Sequence, residues 1–241
     1  MILAAKYTNL GGRDVNEDSC DFFCKNDRAC AVVADGLGSY GGGEVASSIA
    51  VKMIEEKFGQ VGQLNVDILE DTIQSINRKI YEAQTPEQPM KTTIAVLSIE
   101  DNICTALHIG DTRIYHFSEN QLLQMTFDHS VSQMAVLTGE ITQDQIRHHV
   151  DRNRLLRALG KEDDVKVEIN KWEISGKGLQ AFLLCTDGFW EYVYESEMEE
   201  TLSISENPEE WLSLMAGLLK KRVPEDCDNN TAVAVWFDDK S

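Results

Sequence analysis

Three apolar segments of the sequence each run into an aspartate that has a glycine neighbour. The aspartates are Asp35, Asp111 and Asp187, which follow residues 31–34, 105–109 and 181–186. A buried strand has no reason to end on a charged residue unless that charge acts outside the strand. Carboxylates that lie close together repel and raise one another's pKa values unless cations neutralise them. The pattern therefore predicts a site that binds several hard cations through oxygen ligands.

Two further acidic groups stand directly before apolar segments. They are Glu17 with Asp18, ahead of residues 20–24, and Asp228, ahead of residues 232–237. In an antiparallel sheet the start of one strand lies beside the end of its neighbour, so all five acidic positions can gather on one rim. Aspartates from different strands, with a glycine carbonyl beside the bridging one, suit a pair of Mg²⁺ or Mn²⁺ ions. A single Asp-Gly is a common turn, and only the repetition predicts a metal site.

Two features near these carboxylates each have two interpretations. Arg13 lies in a glycine-led loop, where it either forms a surface ion pair or clamps a phosphate dianion with its planar guanidinium. The glycines at positions 41–43 either form a flexible connector or let the backbone approach a bound group closely. Softer metals are disfavoured because the six cysteines form no C-x-x-C pair, and these thiols are interpreted as reduced core residues.

The elements that must position these residues follow from the hydrophobic periodicity. Strands are predicted at residues 2–7, 20–24, 29–34, 92–99, 103–109, 114–117, 121–125, 165–172, 181–186 and 231–237. Helices are predicted from Glu44 to Gly59, around Leu69 to Ile80, and around Trp211 to Leu218. This order lacks the strict β-α alternation of a parallel sheet, so it favours an antiparallel α+β sandwich with helices on its outer faces.

One domain over residues 1–241 is the expectation from length, since sheet-rich domains often reach this size undivided. Residues 130–160 change character, with short helical pieces and many polar side chains, and are interpreted as a mobile flap outside the core. We call residues 130–160 the flap segment. There are no internal repeats, low-complexity tracts or linkers in the sequence.

The formal charge of −19 excludes several classes of partner. A nucleic-acid backbone or an anionic membrane would be repelled, whereas divalent cations would be attracted. No run of residues is long and apolar enough to span a bilayer, and the first residues lack the pattern of a signal peptide. The expected location is the cytoplasm, and the expected state is a monomer.

Seven short motifs then stand in a recognisable order. They are R-D-V-N-E-D from Arg13, V-A-D-G-L-G from Val33, G-E-V-A-S from Gly43, G-D-T-R from Gly110, D-H-S from Asp128, T-D-G from Thr186 and D-N-N-T from Asp228. In this order the sequence resembles, nearly end to end, the metal-dependent serine/threonine protein phosphatases of type 2C, bacterial members included. The resemblance implies a four-layer α-β-β-α sandwich with two central, mainly antiparallel sheets flanked by helices.

The resemblance also implies a role for each matching residue. Asp35 would bridge two metals, the Gly36 carbonyl would bind one of them, and Asp187 and Asp228 would hold the other. Arg13 would bind the substrate phosphate. The supporting residues would be Glu17 and Asp18, which orient metal-bound waters, and Asn229 beside the ligands. A third, weaker metal would use Asp111 with help from Asp187, and Glu191 stands where some relatives place another acidic ligand.

Three positions depart from the pattern of the family. Leu37 stands where many eukaryotic members have a histidine that is proposed as a general acid, and general acid catalysis is typically worth about 10²–10⁴-fold. A metal-bound water or a third metal must then assist the leaving group, or turnover is slower. Ser39 replaces a glycine. Lys91 also replaces a glycine, which bears on local strand geometry but not on the metal ligands.

The sequence as a whole indicates hydrolysis of phosphoserine and phosphothreonine in proteins, the targets of a serine/threonine kinase. Two cations, Mn²⁺ or Mg²⁺ and possibly joined by a third, would share a water or hydroxide that attacks phosphorus in line, without a covalent intermediate. Two alternatives stay open. One is a catalytically weak or inactive binding or regulatory module on the same fold, and the other is a phosphatase whose substrate is an anti-sigma-antagonist type of protein.

Overall fold

Two five-stranded antiparallel sheets form the centre of the computed structural model, which describes residues 1–25, 27–38, 42–100, 102–174 and 178–238. The strands are β1 (Ile2–Asn9), β2 (Ser19–Lys25), β3 (Arg28–Ala34), β4 (Gly36–Gly38), β5 (Met90–Thr92), β6 (Ile94–Glu100), β7 (Ile103–Ile109), β8 (Arg113–Ser118), β9 (Gln121–Met125), β10 (Glu168–Glu173), β11 (Leu179–Cys185) and β12 (Asn230–Asp238). The helices are α1 (Gly42–Val61), α2 (Val66–Ala83), α3 (Val131–Leu137), α4 (Asp187–Trp190), α5 (Glu195–Ile204) and α6 (Pro208–Leu219).

The two large sheets have the strand orders β1-β12-β11-β8-β9 and β10-β7-β6-β3-β2, and β4 pairs with β5 in a separate small sheet. One apolar cluster fills the space between the large sheets. A second cluster packs α1 and α2 on the outer face of the β3-containing sheet, and a third packs α4, α5 and α6 on the other sheet. The predicted four-layer α-β-β-α sandwich is therefore confirmed.

Local sequence explains why the outer helices form where they do. In α2 the buried residues Leu69, Ile73, Ile76 and Ile80 recur at helical spacing and make one apolar stripe. The helix begins at a favourable cap, because the Asn65 side chain accepts a hydrogen bond of 3.0 Å from the Ile68 amide. Strand β3 has the opposite character, since six of its seven residues are buried, and it can only lie inside a covered sheet.

Several predicted boundaries were wrong, and tertiary contacts explain two of them. The strand predicted at 92–99 is interrupted at Thr93, whose amide donates to the Asp35 carbonyl instead of to a neighbouring strand. Strand β10 begins at Glu168, not at 165, because the backbone of Val165 bonds to the side chain of Gln74 in α2. Helix α5 had no counterpart in the prediction.

The glycine-rich start of α1 also differs from the expectation. Gly42 and Gly43 are the first residues of the helix, not part of a connector, whereas Ser39 and Gly41 lie outside the described residues. The helix passes through Gly59 and ends at Val61, followed by Gly62 with a left-handed φ of +71°. Lys91 sits in a regular position of β5, paired with Leu37 of β4.

The flap segment connects β9 to β10 and contains α3 and a short 3-10 helix (Gln143–His148). Its far end is fixed to β5, since Leu159 and Thr92 exchange two backbone hydrogen bonds of 2.8 and 3.3 Å. Its mobility stays a prediction. None of the described helices has the length and apolar character that a membrane crossing requires.

Candidate functional site

The strand ends that carry the acidic residues meet at one end of the sandwich. Strands β3 and β7 both pair antiparallel with β6, so Asp35 and Asp111 leave the same edge of their sheet. Asp187 and Asp228 lie just beyond the other sheet, because β11 ends and β12 begins side by side in an antiparallel ladder. The four aspartates line one cavity of about 560 Å³, together with Gly36, Arg13, Glu17 and Asn229.

The carboxylates in this cavity perturb one another strongly. Burial and the neighbouring negative charges raise the pKa of Asp35 well above its usual range, and they do the same for Asp111. The pKa of Asp187 is raised to about 7 by burial, followed by the charges of Glu191 and Asp228. Without added positive charge, these groups can remain ionised together at neutral pH only at a high cost in free energy.

The donor set fits a pair of hard divalent cations. Among the described residues that line the cavity, Arg13 is the only basic one, against the carboxylates of Asp14, Glu17 and the four aspartates above. Carboxylate and carbonyl oxygens are the ligands that Mg²⁺ and Mn²⁺ prefer. Cations at this position would remove the repulsion that raises the aspartate pKa values.

Gly36 occupies a position where no side chain fits. A Cβ atom there would lie 2.2 Å from the Gly43 carbonyl oxygen and 2.5 Å from that of Glu17. The Gly36 amide donates a 3.1 Å hydrogen bond to the same Glu17 oxygen. The turn after Asp35 is thus pressed between the loop before β2 and the first turn of α1. Close approach of the α1 glycines to a bound group stays a prediction.

Asn229 holds the loop that carries Arg13. Its side-chain oxygen accepts a 2.8 Å hydrogen bond from the Glu17 amide, and its amide nitrogen donates to the carbonyls of Leu10 and Val15 at 2.8 and 3.1 Å. The guanidinium of Arg13 pairs with Asp228 at 2.9 Å while its side chain is 54% exposed. The ion pair predicted as one alternative is therefore present, and the guanidinium still faces the cavity.

Glu17 and Asp18 occupy different environments. Glu17 lines the cavity, and burial raises the pKa of its carboxyl group. Asp18 is buried behind the cavity wall, where it accepts a 3.0 Å hydrogen bond from the Thr186 hydroxyl. Burial raises the pKa of Asp18 to about 7, and the charges of Asp187 and Asp228 act in the same direction.

Glu191 lies one helical turn beyond Asp187 and does not line the described cavity wall. One of its carboxylate oxygens pairs with Arg152 of the flap segment at 2.8 Å. Burial raises the pKa of Glu191, and the charge of Arg152 opposes that shift. In this arrangement Arg152 already pairs with one of the carboxylate oxygens that the family resemblance offers to a third cation.

A buried ion pair behind the site escaped the sequence interpretation. The Arg113 guanidinium donates two hydrogen bonds of 2.7 Å to Asp128, and both side chains are almost fully buried. It also lies 3.4 Å from the centroid of the Trp190 ring. Trp190 in turn donates a 2.9 Å hydrogen bond to the Asp111 carbonyl. The motifs G-D-T-R and D-H-S contain both charged residues, but neither motif indicates that they pair.

A second group of possible ligands, His108, His129 and Glu168, is unsuited to a cation. The imidazole rings stack with centroids 4.5 Å apart and planes 10° apart, so their in-plane lone pairs lie in parallel planes and cannot converge on one ion. The Arg157 guanidinium also lies 3.0 Å from the His129 Nε2 atom. Burial lowers the pKa of both histidines, which keeps the rings neutral.

Comparison of the sequence with known proteins identifies related chains. The sequence model of one family, protein phosphatase 2C, matches residues 8–223. A serine/threonine phosphatase stp from Listeria monocytogenes is 33% identical over 199 residues, which cover 79% of this chain and 78% of the relative.

Solved structures agree with the sequence comparison. The crystal structure of serine/threonine phosphatase Stp1 from Staphylococcus aureus is 26% identical, with a TM-score of 0.87 over 99% of this chain and 96% of the other. The catalytic domain of the serine/threonine protein phosphatase PstP, in complex with two manganese ions, is 26% identical, with a TM-score of 0.78 over 97% of each chain.

Proposed function

The chain belongs to the protein phosphatase 2C family, and we propose that it hydrolyses phosphoserine and phosphothreonine in proteins with two divalent cations as cofactors. The observation that carries the proposal is the convergence of Asp35, Asp187 and Asp228 in one cavity with Arg13. The serine/threonine phosphatases to which the chain is similar support the substrate class. The two manganese ions in the PstP structure support the number and kind of cation.

The proposed ligands follow from where each oxygen lies. Asp35 and Gly36 follow a strand of one sheet, and Asp187 and Asp228 belong to the other, so these four residues would hold a cation pair between the two sheets. A third, weaker cation would use Asp111 with Asp187, and Glu191 would join only after releasing Arg152. Bound divalent cations supply an activated water for in-line attack on phosphorus and neutralise phosphoryl charge. No covalent intermediate is required.

The residues of the chain contribute binding and orientation. Arg13 offers guanidinium donors to a phosphate dianion at the mouth of the cavity, and Asn229 fixes the loop from which it extends. Glu17 lines the cavity, where it would orient water, and Asp18 would supply negative charge from behind the cavity wall. Leu37 lines the cavity but cannot donate a proton, so water or a third cation would assist the leaving group, or turnover would be slower.

The wider biological setting follows from the same proposal. The substrates would be phosphorylated targets of a serine/threonine kinase, handled by a single catalytic domain whose flap segment borders the site. Asn153 and Leu155 of that segment line the cavity. A monomeric state and a cytoplasmic location stay predictions. An inactive binding module is the weaker candidate, because every carboxylate proposed as a core metal ligand is in place.

The test compares turnover of a phosphothreonine peptide with Mn²⁺, with EDTA, and with the variant Asp187→Asn. We expect EDTA to abolish turnover and Asp187→Asn to reduce kcat by roughly 10²-fold or more, since it removes one charged ligand. Asp71→Asn on the exposed face of α2 is the matched control and should leave kcat unchanged. Metal-independent turnover, or full activity of Asp187→Asn, would refute the proposal. Peptide binding without turnover would favour the inactive module.

A further inference from the structure

The mouth of the acidic cavity carries three apolar side chains that ion binding does not need. Val15, Leu37 and Leu155 line the cavity together with the carboxylates. None of the three belongs to the apolar clusters formed by the described residues. Val15 is 42% exposed, and Leu37 and Leu155 are half-buried. The cavity therefore presents an apolar wall, formed by these three residues, to solvent beside its carboxylates.

Each apolar residue is held in place by its own backbone contacts. The Val15 carbonyl accepts a hydrogen bond from Asn229, and Leu37 pairs with Lys91 in the β4–β5 sheet. Leu155 bridges to Ser130, and its neighbour Leu156 donates a 2.8 Å backbone hydrogen bond to His129. The three side chains come from distant parts of the sequence, and these backbone contacts bring the residues that carry them to one cavity.

We infer that Val15, Leu37 and Leu155 form a subsite that selects phosphoprotein segments with an apolar side chain next to the phosphorylated residue. The inference rests on the proposed function, because a phosphate bound near Arg13 places the flanking residues of its peptide at the mouth. Apolar surface left open to water is unfavourable, and an apolar substrate side chain would cover it. Acidic flanking residues are disfavoured, because Asp14 and Glu17 line the same wall.

The experiment uses three phosphothreonine peptides of equal length that differ only in the two residues flanking the phosphothreonine, which are both Leu, both Gln or both Glu. Covering about 40 Å² of apolar surface corresponds to roughly a five-fold gain in kcat/KM. We expect the Leu peptide to exceed the Gln peptide by about that factor, mainly through KM, and the Glu peptide to be the poorest substrate.

Single substitutions test whether Leu37 and Leu155 produce the preference for the Leu peptide. Leu37→Ser and, separately, Leu155→Ser should reduce kcat/KM for the Leu peptide several-fold more than for the Gln peptide. Leu123→Ser, on an exposed residue of β9, is the matched control and should preserve the ranking of the three peptides. Melting temperatures identify any variant that fails to fold, and the second wall variant then provides the test.

The outcomes separate the two proposals. Equal kcat/KM for the three peptides, or an equal loss on all three in both wall variants, would overturn the subsite while leaving the phosphatase activity intact. If none of the peptides is hydrolysed in the presence of Mn²⁺, the proposed function fails and the subsite fails with it. A preference for Leu that both wall variants remove, and that Leu123→Ser retains, supports the subsite.

Discussion

The buried ion pair behind the site gives a sharp prediction about stability. Asp128→Asn keeps the shape of the side chain but removes its charge and replaces one acceptor oxygen by an NH₂ donor. The Arg113 guanidinium, which is 2% exposed, would then face another donor at a distance where it now makes a 2.7 Å hydrogen bond. Burial opposes the charge of Arg113, and the carboxylate of Asp128 outweighs that effect and raises the pKa of the guanidinium.

The expected magnitude follows from that burial. Removing one partner of a buried ion pair typically costs about 3–5 kcal/mol, because the other charge is left without compensation. For a chain of this length each kcal/mol lowers the melting temperature by about 2–4 °C. Asp128→Asn should therefore melt about 6–20 °C below the wild type in calorimetry or thermal circular dichroism, under identical metal conditions.

Two further variants test whether the uncompensated charge of Arg113 causes the loss of stability. Glu100→Gln removes the pair that Arg28 forms at 3.0 Å with side chains 40% and 30% exposed, and it should cost less than about 1 kcal/mol. Replacing both buried partners, as in Arg113→Met with Asp128→Leu, should be less destabilising than Asp128→Asn alone, because neither charge of the pair is left without its partner. If Asp128→Asn lies within 1 kcal/mol of the wild type, or the double variant is the less stable one, the reasoning is wrong.

Further predictions concern the cavity and the flap segment. In EDTA the free energy of unfolding should fall as the pH rises from about 4 to 7. Asp18 and Asp187 have pKa values raised to about 7 in the folded chain, so they still bind protons that the unfolded chain has already released. Each such proton contributes a slope of about 1.4 kcal/mol per pH unit. Saturating Mn²⁺ should remove this slope, as followed by urea unfolding, and a slope that persists unchanged would argue against cation binding among these groups. Gly36→Ala should lose activity and destabilise the fold by about 1–3 kcal/mol, since its Cβ would lie 2.2 Å from a backbone oxygen. Gly59→Ala, which has open space around its Cβ, should instead stabilise α1 by about 0.5–1 kcal/mol, and equal effects of the two changes would contradict this account. Asn77→Leu should expose residues 155–165 to limited proteolysis, because the Asn77 side chain makes four hydrogen bonds of 2.8–3.0 Å to the backbone of residues 160–163. Unchanged cleavage would show that those bonds do not hold the end of the flap segment in place.

The sequence by itself determined most strands of the two large sheets, the helices α1, α2 and α6, and the identity of the chemistry-bearing residues. Strands such as β7 and β9 were predicted at their observed bounds, because apolar runs and turn residues are local signals. The same holds for the apolar stripe of α2. An aspartate at the end of a buried strand is also visible locally, which is why Asp35, Asp111 and Asp187 could be named before any fold was known.

The tertiary structure decided how these residues face each other. Nothing near Arg113 in the sequence indicates that Asp128 neutralises it, or that Arg152 of the flap segment would reach Glu191. Strand β10 starts late and the strand at 92–99 is divided because distant groups, a glutamine of α2 and the Asp35 carbonyl, compete for backbone hydrogen bonds. Periodicity reports which face of an element is apolar. The pairing between elements depends on contacts between residues 15 to 91 positions apart, and those contacts form only in the folded chain.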